Sequence, residues 1–259
     1  MQYFLLSFRA EILKVKRTFA LWLTILGALF VPMIYFLIML NRPAFFIPKD
    51  PAKENIWVKY YENAWQSTSF FLLPFFIILL TTLIVQIEHK SNTWKHLLTL
   101  PVPKWVIYIN KLLIIVFLVM LCYLLFNIFL LIGAFVLGIS NPRLTFHTQP
   151  IPMNFLVNYT IKSFVSTLGL TAIHYWIALR IKNLILPIGI GIVGVIAGLI
   201  LINGWENIIY LPYAHSTMTY FKMSAGSFKM FETHEIHSLA WFVGIAILGF
   251  IDFKWGFRS

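Results

Sequence analysis

Ionisable side chains are costly inside hydrocarbon and usually functional there, so the few that interrupt the apolar runs of this chain come first. Lys162 stands about two turns into the apolar run 155 to 179. Its long stem lets the ammonium snorkel to an interface, and the alternative is a charge that faces a transported molecule. On the same run Thr160, Ser163, Thr167, Thr171 and His174 follow at spacings of three and four, which places them on one helical face. Such a face either lines a polar pathway or hydrogen-bonds neighbouring helices and its own carbonyls.

Elsewhere the chemical equipment is thin. His215, His234 and His237, with Glu232 and Glu235 nearby, form no complete ligand set by spacing, and no bound metal is expected. The apolar runs carry no paired carboxylates, no His-Glu-x-x-His pattern and no nucleophile elbow, the usual parts of intramembrane proteases, proton antiporters and hydrolases. A Gly-x-x-x-x-Gly-Lys-Ser/Thr phosphate loop is also absent, so no cofactor is expected on this chain and any energy comes from a partner or a gradient. Gly191, Gly194 and Gly198 share a helical face that admits close approach of another helix, within the chain or between protomers. Cys122, the single cysteine, lies in an apolar run and pairs with nothing inside the chain.

The elements that must hold these residues are set by composition. Of 259 residues, 60% are hydrophobic and 11% charged, against roughly a quarter charged in a soluble domain. The mean hydropathy is +0.83. The apolar residues fall in runs of about twenty, the length that crosses the hydrocarbon as a helix. Six such runs, at about 19–40, 67–87, 112–138, 155–179, 184–203 and 237–253, predict an all-α membrane protein of one domain, 1–259. The first run is longer than a signal-peptide core and lacks a cleavage site, so it is expected to stay in the mature chain. The third is long enough to tilt or to emerge from the bilayer. Residues 1–18 read as an interfacial helix, with Leu5, Phe8, Ile12 and Val15 on one face and cations around the rest. The segment 204–236, rich in Tyr, Phe and Met, is expected on or in the outer leaflet.

The net charge of +11 does not point to nucleic acid, because Lys and Arg sit at the ends of apolar runs and not on one basic surface. They point to orientation. With both termini inside, the inner side carries 12 basic and 3 acidic residues and the outer side 8 and 6. The positive-inside rule then predicts a multi-pass plasma (inner) membrane protein with cytoplasmic termini.

The inner loop 88 to 111, EHKSNTWKHLLTLPVPKWVIYINK, is too patterned for a passive connector. Ser91 or Asn92 can cap a short helix, Trp94, Leu97 and Leu98 fall on one face, and Pro101 stops it. A large apolar anchor ringed by cations suits a protein-docking knob, and the alternative is a helix resting on lipid headgroups. Glu88, Thr93 and Trp94, Leu97 and Leu98, Pro101, Pro103 and Lys104, and Lys111 together resemble the signature region of permeases of the type-2 ABC exporter superfamily, in the bacitracin and lantibiotic-resistance branch. Asn92 stands where that pattern has a glycine.

The resemblance implies a coupling helix that docks on a cytoplasmic ABC ATPase. ATP and Mg would bind the ATPase, two permeases (alike or different) would pair amid membrane lipids, and an antimicrobial peptide, drug or other amphipathic molecule would move by alternating access. Two rivals are a lipid-modifying enzyme built on the outer His and Glu residues with Lys162, and a membrane anchor for a secretion or motility assembly.

Overall fold

The computed structural model describes residues 2–16, 18–43, 55–91, 94–99, 101–141, 143–226, 229 and 231–256, with the side chains of 2, 95, 96, 98 and 256 outside that description. The described residues form helices α1 Gln2–Lys16, α2 Phe19–Asn41, α3 Ile56–Ser67, α4 Leu73–Lys90, α5 Trp94–Thr99, α6 Lys104–Ser140, α7 Met153–Arg180, α8 Ile185–Leu201, α9 His215–Ser224 and α10 Thr233–Gly256. No strand occurs among them. The architecture is that of an all-α membrane protein, because a chain this apolar must satisfy its backbone polar groups within each segment.

Four helices are long and apolar enough to cross a bilayer among the described residues: Phe19–Asn41, Ile56–Lys90, Lys104–Ser140 and Thr233–Trp255. Helix α7 has the length, at 28 residues, but carries the hydroxyl face that lowers its hydropathy. Helix α8 is apolar but only 17 residues long, about 26 Å at 1.5 Å per residue. Helix α6 runs for 37 residues, about 55 Å, well past the hydrocarbon thickness of about 30 Å. Its first two turns, Lys104 to Lys111, lie outside the run expected from hydropathy.

One long element differs from expectation. The run at 67–87 is the second half of a rod that starts at Ile56, where the Asn55 side chain caps the helix by accepting from Trp57 N at 2.8 Å. Trp57, Tyr60, Tyr61, Ala64 and Trp65 recur at helical spacing and are all buried. Trp65 packs its ring against Phe126 at 5.0 Å and Tyr159 at 4.7 Å, so an aromatic core fills one end of the bundle.

Between α3 and α4 the rod widens into a π-turn, Thr68–Leu72. Leu73 N donates to Thr68 O, and the next donor in that register would be Pro74, which has no N–H. The Ser69 carbonyl is thus left over and accepts instead from Ser216 Oγ at 2.8 Å and Thr217 Oγ1 at 3.4 Å. This bond draws α9 onto the bundle, where His215, Ser216, Thr217 and Thr219 are buried. Within 204–236, helix α9 therefore packs on protein through its polar side chains, while Tyr210 and Phe221 stay exposed.

At the opposite end, contacts gather the parts that the charge pattern leads one to expect inside. Gln86 Nε2 donates to Ile181 O at 3.3 Å and His89 Nε2 meets Ala178 O at 3.1 Å, which satisfies carbonyls at the end of α7. Trp176 Nε1 donates to Asp252 Oδ2 at 2.9 Å, and Arg180 pairs with the same carboxylate. Helix α1 joins this basic end through Asn110 Nδ2, which donates to Phe4 O at 3.1 Å. Its predicted apolar stripe is split: Val15 is buried and Ile12 packs inward, whereas Leu5 is exposed beside Leu6 and Leu13. The helix is turned so that Glu11 faces the bundle.

Candidate functional site

That turn of α1 completes a buried charge network. Glu88, in the last turn of α4, and Lys111, two turns into α6, meet at 2.7 Å with side chains only 1% exposed on both sides. Lys111 also reaches Glu11 at 2.8 Å. Lys14, one turn on from Glu11 in α1, bridges Glu11 at 2.6 Å and Glu88 at 3.1 Å. Two acids and two bases alternate, so the set is neutral.

Neutrality is the condition for burial, since each isolated ion would cost several kcal/mol to desolvate. Burial alone would raise the Glu11 carboxyl, but Lys111 and Lys14 outweigh it and hold the group below its ordinary value of 4.5. For Lys14, desolvation pulls the ammonium down, and Glu11 and Glu88 carry it above its ordinary 10.5.

Trp94, the first residue of α5, closes the network from below. Its ring lies 5.8 Å from Lys111 Nζ, a cation–π distance. The ring also packs against Phe253 at 5.6 Å and His89 at 5.8 Å, and the residue is 6% exposed. The indole thus sits inside the bundle, not on the free face expected of a docking anchor. Leu97 is half-buried and packs on the same core, Lys104 is half-buried, and Pro101 is exposed. Thr93 and the Leu98 side chain lie outside the described residues. Ser91 Oγ donates back to Ile87 O at 2.7 Å.

Of the signature residues, then, the fold brings Glu88, Trp94 and Lys111 into one contact set. Reading the sequence missed Glu11 and Lys14 as their partners. The available signal was Glu11 itself, the single acid in a basic segment and one turn before a lysine.

The hydroxyls of the α7 face are largely taken up by carbonyls of their own helix. Thr160 Oγ1 donates to Leu156 O at 2.7 Å, Thr171 Oγ1 to Thr167 O at 2.9 Å, and Thr167 Oγ1 to Phe164 O at 2.9 Å. Tyr123 OH from α6 donates to Ser163 O at 2.9 Å. All five members of the stripe are buried, so it packs helices in this conformation. His174 Nε2 meets Tyr213 OH at 3.0 Å.

The glycine face of α8 receives the same tyrosine. A Cβ at Gly194 would stand 2.5 Å from the Tyr213 ring, one at Gly191 2.6 Å from Ile78, and one at Gly198 3.3 Å from the Ala214 backbone nitrogen. The contact is therefore made within the chain. A second close approach escaped the sequence reading: a Cβ at Gly169 of α7 would lie 3.0 Å from Ser238 O of α10.

Lys162 does not snorkel. Its ammonium is buried 3.7 Å from Glu235 Oε1, a carboxylate that the α7–α10 contact brings to it. His234 Nε2 bonds Thr219 Oγ1 at 2.9 Å and His215 Nε2 bonds Ile209 O at 2.9 Å. Burial of His215, set against the bond to Ile209, lowers its pKa to about 4.

No curated protein matches the chain. The family model described as ABC-2 family transporter protein matches residues 7–198, a span that contains most of the N-terminal helix, Glu88, Trp94, Lys111, the α7 face and the α8 glycines. With three quarters of its length inside that match and an all-α membrane architecture around it, the chain belongs to the ABC-2 transporter family and is a membrane permease component of an ABC transporter.

Proposed function

We propose that this permease works in an ATP-driven exporter whose cytoplasmic ATPase, carrying ATP and Mg, engages the α5 region, with the basic end of the bundle facing the cytoplasm and six helices (α2, α3–α4, α6, α7, α8 and α10) crossing the membrane. The observation that carries this reading is the buried network of Glu11, Lys14, Glu88 and Lys111 against Trp94. It ties the six-residue helix α5 to the ends of α1, α4 and α6 at once. A push on α5 is passed through the indole to a rigid, paired charge cluster and so to two spans, which is what coupling to alternating access requires. Two permeases pair in the working pump. The amphipathic substrate class, an antimicrobial peptide or drug as in the bacitracin and lantibiotic-resistance branch, follows from the signature resemblance.

The test is co-purification of a soluble phosphate-loop ATPase with the tagged permease, followed by substrate-stimulated ATP hydrolysis in liposomes. Leu97→Asp, on α5, is expected to weaken ATPase retention, while Thr160→Val on α7 leaves it intact. A permease that retains no ATPase, or retains it equally well with Leu97→Asp, contradicts the proposal.

A further inference from the structure

Midway along α2, the α3–α4 rod and α6 lies a cavity of about 260 Å³. Small residues make the room: Gly27 and Ala28 on α2 and Cys122 on α6, with the π-turn at Thr68–Leu72 spreading the third wall. Gly27 is needed there, since a Cβ would stand 2.9 Å from the Phe76 ring that forms the floor.

The lining is almost wholly apolar. Its hydroxyls are already engaged, Thr68 Oγ1 with Ala64 O at 2.8 Å and Tyr123 OH with Ser163 O at 2.9 Å, and no charged side chain borders it. A buried water needs two to four polar partners, and two hydroxyls whose protons are already committed serve it poorly. The space also exceeds the cavity of about 150 Å³ that holds benzene in an engineered core. Of its lining residues Phe30 is the exposed one, at 54%, and it is continuous with exposed Trp22, Leu26 and Met33 on a helix without a charged residue. At that depth the solvent beside Phe30 is hydrocarbon.

We propose that this cavity binds one acyl chain of a bilayer phospholipid, entering beside Phe30. A chain segment supplies apolar atoms to walls that would otherwise face a void, where the lining atoms forgo their dispersion attraction. The site is separate from the charge network at the basic end and does not depend on the coupling proposal.

The full-length chain reconstituted in phosphatidylcholine and phosphatidylglycerol vesicles tests this, with a trace phospholipid bearing a photoreactive diazirine at mid-chain and a second bearing it next to the headgroup. Peptide mass spectrometry of the adducts is the readout. Mid-chain probe is expected to label Leu72, Phe75 and Phe126 several-fold above exposed Ile128 and Ile247, and the headgroup-proximal probe is not. Filling the cavity from one wall with Ala28→Phe, or from the other with Cys122→Phe, should lower pocket labelling several-fold and leave Ile128 and Ile247 unchanged. The comparison of the two probes on the unaltered chain needs neither variant to fold. Labelling of the pocket no greater than that of Ile128, or undiminished in a folded cavity-filling variant, overturns the proposal. So does labelling seen only with an added single-chain photoreactive amphiphile, which would assign the cavity to cargo.

Discussion

Replacing Lys111 by Met keeps the volume of the side chain and removes the charge at the centre of the network. Lys111 lies 2.7 Å from Glu88 and 2.8 Å from Glu11, and its loss leaves two buried carboxylates sharing Lys14 alone. Breaking a buried pair in this way costs about 3–5 kcal/mol. Lys14 is the contrast, because its side chain is 31% exposed, and water screens and partly replaces an ammonium that it reaches. Lys111→Met should therefore lower the unfolding midpoint in detergent by roughly 10 °C and Lys14→Met by far less. Adding Glu88→Gln to Lys111→Met leaves Glu11 and Lys14 as a neutral pair, so the double variant should be more stable than Lys111→Met alone. A double-mutant cycle measures this, with a coupling of about 0.5–3 kcal/mol expected for charges in contact. If the two losses simply add, the four groups do not act as one charge-balanced unit, and α5 has no rigid cluster to push on.

The same network sets a pH window for the docking of α1. Glu11 is held below 4.5, so its contribution is present above 4.5 and lost as pH falls through the lowered folded value. Lys14 is raised above 10.5, so its contribution is complete below 10.5 and lost as pH rises through the raised value. Polarisation of a fluorophore on Leu6→Cys in a Cys122→Ser background should be flat between these limits; release of α1 near neutral pH would contradict the assignment. Gly194→Leu should drive the Tyr213 ring off His174 and destabilise by about 1–3 kcal/mol as an overpacked contact, whereas Gly189→Leu, where a Cβ meets nothing within 4 Å, should be neutral. Equal melting of the two variants would remove the claim of a close α8 contact. Single cysteines at Lys90 and Lys229 should differ on intact cells, with an impermeant reagent reaching 229 only; the reverse pattern inverts the orientation.

The all-α membrane class was legible in the residues because hydrocarbon imposes a local rule: about twenty apolar residues in succession, whatever the rest of the chain does. Helices Phe19–Asn41 and Met153–Arg180 cover the apolar runs at 19–40 and 155–179. That rule is blind to Ile56–Ser67, where Lys59, Glu62 and Asn63 dilute a buried aromatic face. It is blind also to partners. Glu88, Trp94 and Lys111 stood out through a local signature, but Glu11 lies 100 residues from Lys111, and helical periodicity carries no information about which face meets which. The charge states alone required a partner for every buried ion. Packing decided that Lys162 would find Glu235, that Tyr213 would fill the space left by Gly194, and that Pro74 would release the Ser69 carbonyl to α9. Each of these pairs joins segments distant in sequence, and short-range propensity contributes nothing to a choice made only when the helices close on one another.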